Sequence, residues 1–396
     1  MTTAVIVDAV RSPMGKGKMA KGDRPGGSLS TLHPVELLGQ VLRQLVERND
    51  LDPATVDDVI TGCVSGAGEQ AGTVGRWAWL AAGLPEGVPS VTINRACGSS
   101  QQACDFAAQS ILAGANDIVI ASGVESMSRV PMGTARVGMD PVGPSATARY
   151  APGLITQGVS AELVAARYKL DRQALDEYSA RSHQRADAAD RSGEIVPITL
   201  PDGTVVSADE TIRPQTTAQS LGQLNAVFRT DEMDERFPEI GEWKITPGNS
   251  SQLTDGASAV LIMSEEKANA LGLRPRARFH AFGLAGDDPV TMLTGPIPAT
   301  EKALRRSGLS ISDIDHYEVN EAFASVPMAW QSHFDADPAK LNPRGGAISL
   351  GHPLGASGGR LMTTMLHGLE TTGGRYGLQT MCEAGGMANA TIVERL

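Results

Sequence analysis

The stretch Asn94-Arg95-Ala96-Cys97-Gly98-Ser99-Ser100-Gln101-Gln102-Ala103 follows the β-branched run Ser90-Val91-Thr92-Ile93 and opens a helix of small residues that leads to a further apolar run at 117–121. Strand, Gly/Ser turn, helix and strand in that order form one α/β unit. The same order returns near residue 350. There Gly345-Gly346-Ala347-Ile348-Ser349-Leu350-Gly351-His352-Pro353-Leu354-Gly355 precedes a helix over about 356–370 and a strand over 376–382. Two weakly similar halves packed back to back, each bringing one reactive loop to a shared centre, are the architecture this pattern predicts.

Working outward, short β-branched runs predict strands over 4–10, 56–63, 257–263, 276–281, 316–319 and 390–393. Helical stretches separate most of them; in 34–48, Val35, Leu38, Val41, Leu42 and Leu45 fall on one face. Alternating strands and helices give a layered α/β class. The segment 126–158 is rich in Gly, Pro, Met and Arg, with little periodicity. A helix follows, with Asp171 as N-cap and Leu175, Tyr178, Ser182, Ala186 and Ala189 on one face. Residues 196–250 are again irregular. The division read from this is a first half at 1–125 continued by 249–271, an inserted loop domain at 126–248 covering the active site, and a second half at 272–396.

The chain has 396 residues, 41% of them hydrophobic, enough for a large core; 44 glycines and only 4% aromatics suit closely packed layers. A net charge of −11 argues against a nucleic-acid partner, and an anionic substrate would need a local basic patch. Four cysteines without a CxxC pair, and seven scattered histidines, predict neither a disulfide framework nor a metal site. The N-terminus runs straight into a strand, and no run of eighteen apolar residues occurs. The expectation is a cytoplasmic protein with reduced thiols and no membrane insertion.

Four segments carry candidate chemistry. Cys97, at a helix start, is placed for the dipole to lower its pKa and make it a nucleophile; the competing reading is a buried structural cysteine. His352, bracketed by glycines, is open to a ligand and suits the role of base; the alternative is a turn-forming histidine. Cys382, beside Gly385-Gly386, can act as general acid or base, or simply end a strand in the core. Asn320, after a short strand, can hold a water or an oxyanion, or cap a helix.

Taken together, Cys97-Gly98-Ser99, the segment 248–257 (Gly-Asn-Ser-Ser-Gln-Leu-Thr-Asp-Gly-Ala), Asn320-Glu321-Ala322-Phe323-Ala324, Gly351-His352-Pro353-Leu354-Gly355 and the Cys382 loop make the chain resemble the thiolase family over its whole length. The resemblance implies a duplicated αβαβα sandwich of two five-stranded halves with an inserted loop domain. It implies that Cys97 is acylated, that His352 deprotonates Cys97 or the incoming CoA thiol, and that Cys382 moves the α-proton of acetyl-CoA. Asn320, through a water, and His352 would form one oxyanion site; the backbone N–H groups of Cys97 and Ala384 would form the other. Arg213, Ser220 and Ser251 would contact CoA, and Ala322 and Phe323 would line the pocket. Competing readings are solvated loop for Arg213 and Ser220 and core packing for Ala322 and Phe323. CoA and acyl-CoA are then substrates, with no metal and no resident cofactor, and the assembly is a homodimer or homotetramer.

Two departures bear on the substrate. Glu383-Ala384-Gly385-Gly386 stands where many relatives carry three glycines, and Thr156-Gln157-Gly158 lacks the His-Met pair of short-chain biosynthetic relatives. Together with the segments 294–299 and 374–381, which resemble those of actinobacterial thiolases, this favours a degradative 3-ketoacyl-CoA thiolase acting on fatty-acid or steroid side chains. The alternatives are a biosynthetic acetyl-CoA C-acetyltransferase and, more remotely, a non-catalytic acyl-CoA-binding scaffold. Cys63 and Cys104 are read as packing residues.

Overall fold

Every residue of strand β1 (Ala4–Arg11) is buried, as expected of a strand covered on both faces. The computed structural model describes residues 2–396. After β1 come the short β2 (Gly15–Lys16), helix α1 (Pro34–Arg48), β3 (Asp58–Gly62), α2 (Val74–Ala81), β4 (Ser90–Ile93), α3 (Ser99–Leu112) and β5 (Ile118–Ser126). Local chemistry sets α1: the His33 ring caps Val35 N, Pro34 takes the first position, and Leu37, Leu38, Val41, Leu42 and Leu45 are buried. Each such side chain contributes about 1.5–3 kcal/mol of burial before entropy is subtracted.

The chain then leaves the sheet through α4 (Pro144–Arg149), α5 (Gln157–Arg167), α6 (Arg172–Ala188), the hairpin of β6 (Ile198–Thr199) and β7 (Val205–Val206), α7 (Ala218–Leu221) and α8 (Asp231–Arg236). Asp171 caps α6 as the sequence predicts, accepting from Ala174 N at 2.7 Å. Helix α5, built from small and polar residues, was not apparent in the sequence. The excursion returns as β8 (Thr254–Ser264), antiparallel to β5 from Ile118–Met263 to Ser126–Asp255. The remaining elements are α9 (Glu265–Ala270), β9 (Ala277–Gly286), α10 (Pro296–Ser307), β10 (His316–Val319), α11 (Ser325–Phe334), α12 (Ala347–Leu350), α13 (Ser357–Thr372), β11 (Tyr376–Glu383) and β12 (Met387–Arg395).

The sheet order is β10-β11-β12-β9-β1-β8-β5-β3-β4. In the first half β4, β3 and β5 are parallel, and β8 and β1 follow antiparallel. The second half repeats this: Leu341 pairs parallel with β10, β10 with β11, and β12 and β9 follow antiparallel. The duplication is therefore topological. One correction applies to the expected strand count: the second half has four strands, and its fifth is reduced to the single Tyr317–Leu341 bridge. Asn342, at φ 43°, turns the chain away there, and Pro343 has no N–H to continue the ladder. The halves also join edge to edge, through two pairs, Val5–Arg278 and Ile6–Ala277.

Helices α1 and α2 cover one side of the first half, α10 and α11 the far side of the second, and α3 with α13 lie between. This middle layer is why α3 consists of small residues: Ala103, Cys104, Ala107 and Ala108 have no exposed surface. A side chain at Gly358 would overlap Gln101, and one at Gly359 would overlap Ser258. At Gly358 the helix backbones meet directly, which only glycine permits.

Candidate active site

The turn between β4 and α3 carries Cys97. Ala96, just before it, has φ 44°, an uncommon value for a side chain with a Cβ, and Gly98 caps α3. Cys97 is only 5% exposed and packs with Met127, Leu354, Leu361 and Met381. Leu354 lies two residues beyond His352, and Met381 immediately precedes Cys382. The three loops that the sequence marked thus converge on one cluster. Cys382 is 1% exposed, and Cys97 is near enough for its charge to be among the causes that raise the Cys382 thiol.

His352, 4% exposed, is held by its backbone N–H, which donates to Gln252 O at 3.1 Å and Thr254 Oγ1 at 3.0 Å. Its Nδ1 lies 2.6 Å from Ser357 Oγ. The Ser357 hydroxyl donates its one hydrogen to Pro353 O at 3.0 Å, so it accepts from Nδ1–H. Nε2 is therefore the unprotonated nitrogen, with Asn320 Nδ2 at 3.4 Å. Burial, helped by the Arg360 charge, brings His352 down to about 3, so the ring is neutral at rest.

Asn320 leaves the end of β10, its N–H donating to Thr380 O at 3.0 Å. It does not cap a helix, since α11 begins five residues later. Its Oδ1 is buried without a partner, an acceptor open to a water or a substrate donor.

The thiols depart from the sequence expectation. Cys97 is pushed up to about 12, by burial first and then by the Glu383 charge, with its own backbone N–H and the nearby Gln157 side chain pulling the other way. Burial outweighs the helix start, so the resting pair is a thiol and a neutral imidazole. Gln157, at the head of α5, is near enough to the nucleophile to act on it, which the sequence did not show; its sequence signal was the absent His-Met pair.

Two buried carboxylates fix the loops, and neither was singled out in the sequence. Glu125 accepts from Val64 N at 2.9 Å, Ser65 N at 3.0 Å, Gln70 Nε2 at 2.9 Å and Gly355 N at 2.9 Å. Glu321 accepts from Tyr178 Oη at 2.9 Å, Ser182 Oγ at 2.7 Å, Asn342 Nδ2 at 3.1 Å and Ile348 N at 3.1 Å. The 248–257 segment forms a seam beside them: Ser251 N donates to Ala322 O and Ala324 N to Asn249 O, each at 2.9 Å.

The remaining expected residues are less concentrated. Arg213 is exposed, with Nη2 donating to Gln252 Oε1 at 3.2 Å, and Gln252 O in turn holds His352 N. Ser251 is half-buried next to Gln252. Ser220 is exposed, and its hydroxyl closes a capping box with Thr217 at the start of α7. Ala322 and Phe323 are buried, and Phe323 meets Phe228 edge-on at 6.1 Å between centroids. Ala384 is exposed, followed by Gly385 and Gly386 at φ 87° and 78°. All four cysteines are free. Among the described residues no group of three or more His, Cys, Asp or Glu side chains could hold a metal ion, and no helix is long and apolar enough to cross a membrane.

Comparison with known proteins gives the family and the fold. The chain is 47% identical to a steroid 3-ketoacyl-CoA thiolase of Mycobacterium tuberculosis, over 100% of this chain and 95% of that one. It is 43% identical to a 3-ketoacyl-CoA thiolase of Serratia proteamaculans, over the whole of both. The crystal structure of the Bacillus anthracis acetyl-CoA acetyltransferase superposes with a TM-score of 0.87 at 36% identity, covering 100% of this chain and 99% of that one. The profile described as "Thiolase, N-terminal domain" matches residues 4–266, that described as "Thiolase, C-terminal domain" matches 273–395, and the chain belongs to the thiolase family.

Proposed function

We propose that this chain is a 3-ketoacyl-CoA thiolase, an acetyl-CoA C-acyltransferase that cleaves 3-ketoacyl-CoA with CoA to acetyl-CoA and a shortened acyl-CoA in fatty-acid or steroid side-chain degradation. The observation that carries it is that the loops bearing Cys97, His352 and Cys382 each send a residue, Cys97, Leu354 and Met381, into one buried cluster, with His352 a neutral imidazole. Cleavage needs a nucleophile at the ketone, a place for the oxyanion, and a proton for the departing enolate.

In this reading Cys97 gives its proton to His352 Nε2 as it attacks. The new Nε2–H, with a water held by Asn320, then faces one developing oxyanion; the N–H groups of Cys97 and Ala384 face the other. Cys382 gives its proton to the acetyl-CoA enolate and regains one from His352; the imidazole, neutral again, deprotonates the CoA thiol, which collects the acyl group from Cys97, and the Cys97 thiolate so released takes that proton back. Both thiols keep their protons at rest, so neither sulfur carries a buried charge until substrate arrives. Arg213, Ser220 and Ser251 would hold CoA, and Ala322 and Phe323 would border the acyl chain. Residues 126–248 would act as the cover, between halves at 1–125 with 249–271 and at 272–396. A cytoplasmic homodimer or homotetramer using CoA as substrate, without a metal or resident cofactor, completes the proposal.

Thr156-Gln157 before Gly158, in place of the His-Met pair typical of biosynthetic relatives, favours degradation over acetoacetyl-CoA synthesis. Comparing thiolysis of acetoacetyl-CoA with that of a long-chain 3-ketoacyl-CoA tests this: faster cleavage of the long chain is expected, and a clear preference for acetoacetyl-CoA would reverse the assignment.

A further inference from the structure

Glu383 ends β11 one position after Cys382, and both of its carboxyl oxygens are buried without a hydrogen-bond partner. The carboxyl lies against the backbone of Gly98: any side chain there would overlap Glu383 Oε1 and crowd Asn389 Nδ2. Gly98 directly follows Cys97, so a charge on Glu383 reaches the nucleophile, where it is second only to burial in raising the thiol, and it reaches Cys382 as well. The titratable groups facing the carboxyl are Arg95 and Cys97 from the turn before α3, Asp105 from α3, and Cys382 on its own strand. Asn389, packed at the same place, has a buried and unpartnered Oδ1, an acceptor suited to a carboxylic acid and not to a carboxylate.

We infer that Glu383 is a positioning residue that keeps its own proton while Cys97 is a thiolate, so that this pocket holds one negative charge at a time. The inference rests on the reading of Cys97 as the nucleophile. Like charges so close cannot both ionise readily. The Cys97 proton goes to His352 Nε2, and Glu383 exchanges none. Burial lifts Glu383 to about 8, with Arg95 opposing and Asp105 reinforcing, so its ionisation falls at mildly alkaline pH. Beyond that point the thiol becomes harder to deprotonate, and reactivity stops rising as a lone thiol's would.

The test is the rate of Cys97 alkylation by iodoacetamide across neutral to alkaline pH, read by peptide mass spectrometry in wild type, Glu383→Gln and Asp105→Asn. The wild-type profile is expected to bend where Glu383 ionises. Glu383→Gln should follow a single titration and react about tenfold faster on the alkaline side, the effect of about one pKa unit. Asp105→Asn removes a charge that keeps Glu383 neutral, so the bend should move to lower pH. Superimposable wild-type and Glu383→Gln profiles overturn the inference, as does an unmoved bend in Asp105→Asn, which reads the same coupling if the glutamine variant does not fold. Acetyl labelling of Cys97 by acetyl-CoA separates the two claims: without label the nucleophile assignment fails, whereas label with superimposable profiles removes only the role of Glu383.

Discussion

The carboxylate of Glu125 accepts from Gly355 N at 2.9 Å across 230 positions of chain, tying the end of β5 to the loop that carries His352. Its Oε2 also takes Val64 N, while Oε1 takes Ser65 N and Gln70 Nε2. Either orientation of an amide would set an NH2 group against two N–H donors. Glu125→Gln is therefore expected to lose about 2–3 kcal/mol of stability, the penalty for buried donors without acceptors. A urea unfolding midpoint equal to that of wild type would contradict this account.

Ser357→Ala removes the acceptor that fixes the Nδ1–H tautomer of His352. A hydrogen bond worth about 0.5–1.5 kcal/mol corresponds to a fall in kcat of about 3- to 10-fold. The KM for CoA should stay close to wild type, because Ser357 is wholly buried behind the ring. Steady-state thiolysis kinetics separate the two parameters.

Cys97→Ala and Cys382→Ser should divide the reaction. With the nucleophile gone, intact-mass measurement should find no acetyl adduct after incubation with acetyl-CoA, and turnover should fall by about 10⁴-fold or more. Cys382→Ser should still acquire the adduct but lose deuterium exchange at the α-carbon of acetyl-CoA. Normal exchange in that variant would remove Cys382 from the proton-transfer step.

His352 also makes an acid-side prediction for stability. Its folded pKa, about 3, lies below the ordinary value of 6.5. The neutral ring therefore favours folding at pH above 6.5, and that contribution is lost as pH falls toward the folded value. One such group adds a slope of about 1.4 kcal/mol per pH unit. His352→Asn should flatten the decline in urea-unfolding free energy between those limits by about that amount, and an unchanged slope would count against a buried neutral imidazole.

Arg213→Ala tests the CoA contact. An exposed guanidinium acting on a phosphate should raise the KM for CoA several-fold, about 1 kcal/mol, without changing kcat. The effect should shrink in high salt.

Much of this was legible in the sequence, for identifiable reasons. The core strands are continuous apolar runs because sheets buried on both faces demand them, and α1 shows a full helical period. The loops at Cys97, His352 and Cys382 stood out because glycines must surround residues that a substrate approaches. Glu125 and Glu321 were illegible: a lone carboxylate in a chain reads as surface, and their donors come from segments far away in sequence. Gln157 and α5 were hidden by small and polar residues that lack a hydrophobic stripe. The direction of the Cys97 shift was misread, because local position suggests a helix dipole whereas burial depends on Met127, Leu354, Leu361 and Met381, which only the fold brings together.

Among the described residues two backbone pairs, Val5–Arg278 and Ile6–Ala277, stitch the two sheets at their common edge. So short a stitch leaves the spacing between the sulfur donated by one half and the imidazole donated by the other to the nesting of α3 on α13 and to side-chain ties such as Glu125 to Gly355. Mild denaturant that wets this interior should extinguish turnover while the far-ultraviolet circular dichroism of the strands and helices is still intact, making catalysis a gauge of the packing between duplicate halves.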